Sequence, residues 1–184
     1  TNDQYKFIDV MTSNERILCS GGAGTGKTFL AAELARRLSD NNKNIALICK
    51  SIWLKNYLNE VISAPNVFVS TIDAANVNRK RNGIDKYDAI IVDEGQDLFN
   101  LNDFETLDSL VDGGLEQGQC CIFHDANHQS GLFSSFDNDI LEYFKDYHYI
   151  NVPLITNCRN SKPILKKVQS SLLVDMGTES IGGG

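Results

Sequence analysis

The segment Gly21-Gly22-Ala23-Gly24-Thr25-Gly26-Lys27-Thr28 carries the pattern G-x-x-x-x-G-K-[ST]. Glycines at this spacing let successive backbone N–H groups curl around phosphate oxygens without a Cβ in the way, and a helix N-terminus adds partial positive charge. Gly22, Gly24, Thr25 and Gly26 are therefore expected to cradle a polyphosphate. Lys27 is expected at the β- and γ-phosphates, and the Thr28 hydroxyl on Mg²⁺. A second group of reactive side chains follows the apolar run Ala89-Ile90-Ile91-Val92, which ends in Asp93 and Glu94. Carboxylates at the C-terminal end of a buried strand lie where open α/β sheets bind ligands. There Asp93 suits a hydrated Mg²⁺, and Glu94 suits the orientation or deprotonation of a water attacking a γ-phosphate.

Both groups need strands that stop at the same edge of a sheet, and the chain has the pattern for it. Short apolar runs at Arg16 to Ser20, Asn44 to Cys49, Val67 to Thr71, Ala89 to Asp93, Gln119 to His124 and Tyr149 to Ile155 read as strands, most of them buried on both faces. Leu30, Leu34 and Leu38 with Ala31 and Ala35 form one stripe of a helix, opposite Glu33, Arg36 and Arg37. Further helices are expected over Ile52 to Ile62, Asp103 to Val111, Asp137 to Lys145 and Pro163 to Leu173. This alternation predicts an α/β fold with a mainly parallel sheet flanked by helices, and the glycine-lysine loop between its first strand and helix makes that fold a P-loop NTPase. Residues 1–173 read as one domain, and 174–184, which lose periodicity and end in glycines, as a tail or the start of a truncated linker.

Composition narrows the partners. With 17 basic and 24 acidic residues the net charge is -7, which excludes a generally basic surface, so any nucleic-acid contact must be local. No apolar run approaches the roughly 20 residues of a membrane helix, and no secretory signal is visible; a cytoplasmic location is expected. Cys19, Cys49, Cys120, Cys121 and Cys158 lack a C-x-x-C pair, and adjacent Cys120 and Cys121 should face opposite sides of a strand, so buried reduced thiols are expected. His124, His128 and His148 show no metal-ligand spacing.

Asp93-Glu94-Gly95-Gln96-Asp97 resembles the Asp-Glu-x-Gln-Asp motif of superfamily 1 helicases of the UvrD/Rep type. The glycine-rich loop is also similar to theirs, and two later segments fit in order. Asp125-Ala126-Asn127-His128-Gln129 resembles their third motif and Leu154-Ile155-Thr156-Asn157-Cys158-Arg159-Asn160 their fourth, while Thr1-Asn2-Asp3-Gln4 resembles the glutamine motif ahead of the loop. The resemblance implies a first RecA-like domain that uses ATP and Mg²⁺. It implies Gln4 on the adenine edge, and Gln129 and Arg159 as γ-phosphate sensors beside Lys27 and Glu94. It also implies movement along single-stranded DNA and a second RecA-like domain, beyond Gly184, that supplies an arginine finger. A nucleotide-operated switch controlling a fused nuclease or partner is the alternative. His124 stands where a glycine usually precedes the third-motif aspartate, Cys158 replaces the usual tyrosine, and Gly95 fills the variable position. The stretch from Cys49 to Tyr87 is too short for the accessory domain that many such helicases insert there.

In these relatives the segment after the second strand contacts the DNA backbone, and here it is Lys50-Ser51-Ile52-Trp53. Trp53 suits a stacking platform, but helical spacing beside Leu54 and Leu58 favours the core. Arg79-Lys80-Arg81, beside Asn82-Gly83, reads as a solvated loop more readily than as a DNA contact.

Overall fold

The computed structural model of the protein describes residues 2–125 and 135–154, the side chains of 2–4, 135–138 and 141 excepted. The expected apolar runs form a six-stranded sheet of β1 (Arg16–Gly21), β2 (Ile45–Cys49), β3 (Val67–Thr71), β4 (Ala89–Val92), β5 (Gln119–Asp125) and β6 (Ile150–Leu154). All neighbouring strands are parallel, in the order β3-β2-β4-β5-β1-β6. Every residue of β2 and β4 is buried, which is why both read as unbroken apolar runs instead of alternating ones. The edge strand β6 tolerates Pro153 because a missing N–H costs no ladder bond on the open side.

Helices cover both faces. On one, α2 (Lys27–Ser39) lays its Leu30, Ala31, Leu34, Ala35 and Leu38 stripe against Ile17, Cys19, Ile45, Leu47, Ile91 and Phe123, joined by Leu54 and Leu58 of α3 (Ile52–Val61). The other face packs Leu18, Ile48, Ile90, Val92 and Ile122 against α4 (Ala75–Arg81), α5 (Leu101–Leu110), the short α6 (Gly114–Gln117) and α7 (Ser135–Asp146). Phe144 sits at the middle of an aromatic group on that face, 4.7 Å from Tyr149 and 5.5 Å from Phe104 between ring centroids. Cys121 belongs to the first face and Cys120 to the second, as expected of adjacent strand residues. Burial pushes the Cys19, Cys49 and Cys120 thiols up to about 12, so they behave as small apolar side chains.

Three helices, the short α6 among them, differ from the sequence expectation. The N-terminus forms a helix, α1 (Asn2–Ser13), seated on α2 by buried Ile8 and Met11 and by the Arg37–Asp9 pair at 3.3 Å. Arg79-Lys80-Arg81 is the last turn of α4, not a loop, and Gly83 in the left-handed region turns the chain away after it. Arg79 Nη1 donates to the carbonyls of Ile84 and Asp85, which ties this turn to the segment entering β4, at the opposite end of the sheet from Asp93. The expected helix at Pro163 to Leu173, the linker at 174–184 and Cys158 lie outside the described residues. Among the described residues no helix is long and apolar enough to cross a membrane.

Candidate nucleotide site

Strand order decides the site. The register Gly21↔Asp125 and Val92↔Ile122 ends β1, β5 and β4 at one edge, with β5 between the other two. Gly21, Asp125 and Asp93 therefore emerge side by side, although far apart in sequence.

After β1 the chain turns through Gly24 (φ 75°) and Gly26 (φ 84°), both in the left-handed region where a Cβ would strain the backbone. Thr25 Oγ1 closes the turn by donating to Gly22 O at 2.8 Å. Gly26 is the N-cap of α2 and offers no side-chain oxygen, so the first N–H groups of a 13-residue helix are left to whatever sits in the loop. Lys27, 7% exposed, folds back with Nζ donating to Gly21 O at 2.9 Å and Gly22 O at 2.8 Å. The ammonium is thus held over the loop, on acceptors that an anion would replace.

Thr28, one residue on, faces β4. Its Oγ1 donates to Asp93 Oδ2 at 2.6 Å, a bond spanning 65 residues of sequence. Asp93 is fully buried, and burial pushes its carboxyl up to about 6 against the lowering effect of the Thr28 bond. A buried carboxylate of this kind favours a neighbouring cation. The donor set fits Mg²⁺: a hydroxyl that gives its proton to Asp93 keeps its lone pairs free, and both groups are hard oxygens. Among the described residues no cluster of three or more His, Cys, Asp or Glu side chains could hold a metal, so a dication here depends on phosphate and water oxygens.

Glu94 sits at φ 54° and ψ 46°, a left-handed conformation that a non-glycine residue adopts at some cost, and it turns the chain from β4 into a 3-10 turn, Gly95–Leu98. Gln96 holds the result in place. Its Nε2 donates to Glu94 Oε2, and its Oε1 accepts from Asp125 N at 3.0 Å. One amide thereby fixes the Glu94 carboxylate to the end of β5. Gly95 is a glycine because a Cβ there would stand 2.6 Å from Ile122 Cγ2 and 3.1 Å from Phe123 O. His124 lies in β5 beneath this turn, 2% exposed, its ring 5.9 Å from Phe99. Burial, helped by the Lys27 charge, lowers its pKa to about 4, so the imidazole is neutral, and its Nε2 has no partner among the described residues.

The structure thus brings together Gly22, Gly24, Thr25, Gly26, Lys27, Thr28, Asp93 and Glu94. Gln4 is in α1 with its side chain outside the described residues, and Gln129, His128 and Arg159 lie wholly outside them. His148 is exposed. Sequence reasoning assigned no task to Gln96. Its spacing from Glu94 was visible, but its bond to Asp125 depends on strand order.

At the same sheet edge, Ser51 caps α3 by accepting from Leu54 N at 3.3 Å, and Trp53 is 50% exposed. This corrects the core placement: Leu54 and Leu58 face inward, while Trp53 stacks on Tyr57 with centroids 6.2 Å apart and planes 17° apart.

No individually curated protein matches the sequence. Among solved structures, the fold is similar to the SWI2/SNF2 ATPase core of Sulfolobus solfataricus in complex with dsDNA, at 12% identity and TM-score 0.53, covering 83% of this chain and 43% of that one. It is also similar to the Pif1 helicase of Candida albicans, at 13% identity and TM-score 0.55, covering 93% and 43%. The chain therefore spans less than half of either structure, with the α/β sheet of a RecA-like helicase core. The sequence matches the family described as Schlafen group 3, DNA/RNA helicase domain, over residues 14–142, well over half its length, and the chain belongs to that family.

Proposed function

We propose that this domain binds Mg·ATP as the first RecA-like half of a superfamily 1 helicase or translocase of the UvrD/Rep type, acting on single-stranded DNA. The observation that carries the reading is the 2.6 Å bond from Thr28 to Asp93, which joins the glycine loop to the carboxylate pair. Lys27 would exchange the Gly21 and Gly22 carbonyls for β- and γ-phosphate oxygens. Mg²⁺, held through Thr28 and Asp93, would neutralise charge on those oxygens. Glu94, oriented by Gln96, would take the proton of the attacking water at its carboxylate. Phosphoryl transfer needs little more from a protein than this positioning and charge compensation. Gln129 and Arg159 are proposed as γ-phosphate sensors and Gln4 as the adenine contact, on the motif resemblance. An arginine finger from a second RecA-like domain is proposed to complete the pocket, a contribution of about 10³ to 10⁵ in rate where it has been measured.

Single-stranded DNA is proposed to cross the sheet edge at Lys50 to Trp53. An exposed indole stacked on Tyr57 is a platform for an unpaired base, and such stacking contributes about 1–3 kcal/mol per base. Trp53→Ala is therefore expected to weaken binding of a labelled oligodeoxythymidylate by roughly five- to a hundredfold without lowering the melting temperature. Unchanged affinity in fluorescence anisotropy would remove Trp53 from the interface. The net charge of -7 favours one rival, a switch ATPase that answers to a protein partner. ATP hydrolysis by the full-length protein that is accelerated by single-stranded DNA supports the motor, whereas hydrolysis indifferent to DNA and altered by a protein partner supports the switch.

A further inference from the structure

Three elements meet around one cation at the sheet edge assigned to nucleic acid: the start of α3, the 3-10 turn Ile72–Ala74 after β3, and the first turn of α5. Lys50 Nζ lies 3.5 Å from Asp73 Oδ1 and 3.5 Å from Asp103 Oδ2. The two carboxylates are held differently. The Asp103 side chain is 6% exposed and pinned by Asn100, whose Nδ2 donates to Oδ2 at 2.7 Å while its Oδ1 accepts from Asp103 N at 2.9 Å. The Asp73 side chain is 73% exposed, and the Lys50 side chain 42%.

An ammonium group has three donors and no acceptor, and here two carboxylate oxygens stand within ion-pair range of it, each an acceptor that a phosphate oxygen would have to replace. The arrangement also places two negative charges where an incoming strand must bring its own. We propose that Asp73 and Asp103 form an internal competitor for Lys50, which a backbone phosphate has to displace before the strand can settle beside Trp53. Charge alone then gains little at this surface, and an unpaired base able to stack supplies the preference. This inference rests on the nucleic-acid reading of the Lys50 to Trp53 segment.

Asp73 is the carboxylate to change, since it is exposed and its removal leaves the Asn100–Asp103 cap intact. Asp73→Asn is expected to tighten binding of a fluorescein-labelled oligodeoxythymidylate by roughly two- to fivefold at low salt, the range that exposed ion pairs convert to. It is also expected to steepen the slope of log K against log salt by up to about 0.7, the value of one added single-strand phosphate contact. Both changes should vanish in the Lys50→Ala background. If Lys50→Ala weakens binding but Asp73→Asn changes neither affinity nor slope, the competitor is refuted and the surface reading survives. A gain from Asp73→Asn that persists without Lys50 is general charge repulsion and also refutes it. If neither Lys50→Ala nor Trp53→Ala alters binding, or the unsubstituted protein itself does not bind the oligonucleotide, the surface itself is wrong and the competitor falls with it.

Discussion

Glu94→Gln is expected to lower ATP turnover in the full-length protein by roughly 10²- to 10⁴-fold, the usual contribution of a general base, while Mg·ATP affinity stays within about twofold. The amide keeps the size of the side chain and its hydrogen bond from Gln96, but it cannot accept the proton of the attacking water. Position favours this residue over its neighbour. Asp93 is buried and occupied by Thr28, whereas Glu94 is carried forward by its left-handed backbone and held from the side by Gln96. Single-turnover hydrolysis beside equilibrium binding separates the two effects. A rate loss matched by an equal loss of affinity would assign Glu94 to binding instead.

Gly95→Ala is expected to give the largest stability loss of any one-carbon change near the site. The added methyl would lie 2.6 Å from Ile122 Cγ2 and 3.1 Å from Phe123 O, in a central strand where both residues are at most 1% exposed. A side chain could swing away, but a strand carbonyl cannot. Overpacking of this kind costs about 1–3 kcal/mol, which for a domain of this size lowers the melting temperature by roughly 3 to 10 °C. The same displacement moves Glu94 and Gln96, which flank Gly95. Thermal unfolding followed by circular dichroism checks the first effect. An unchanged melting temperature would mean that the turn has room the structure does not show.

The strands were legible because burial on both faces leaves a signature independent of long-range detail: β2 and β4, buried along their whole length, begin and end within one residue of expectation. The meeting of Lys27 and Thr28 with Asp93 and Glu94 was legible too, because the glycine loop and the strand-end carboxylates each imply the same sheet edge. What escaped depended on choices that periodicity leaves open. In α3, Leu54 and Leu58 form one stripe of spacing four and Trp53 and Tyr57 the adjacent one. Both are apolar, and only packing against the sheet decides which goes inside. In α4 only Ala75 is buried, so the sequence shows no apolar face, and the helix is held by its neighbours. In α1 the signal is present, with Phe7, Ile8 and Met11 on one side, but three apolar residues near a polar start leave helix and extended chain equally open until α2 covers them. The carboxylates at Lys50 come from two other elements and have no local signature.

The most direct test of the whole account is titration of the full-length protein and its Lys27→Ala variant with Mg·ATP. A lysine whose charged hydrogen bonds pass from the loop carbonyls to phosphate should be worth about ten- to a hundredfold in affinity, so the variant is expected to bind that much more weakly with its melting temperature little changed. Equal association by the two proteins, or none by either, would contradict the proposal that this loop holds a nucleotide.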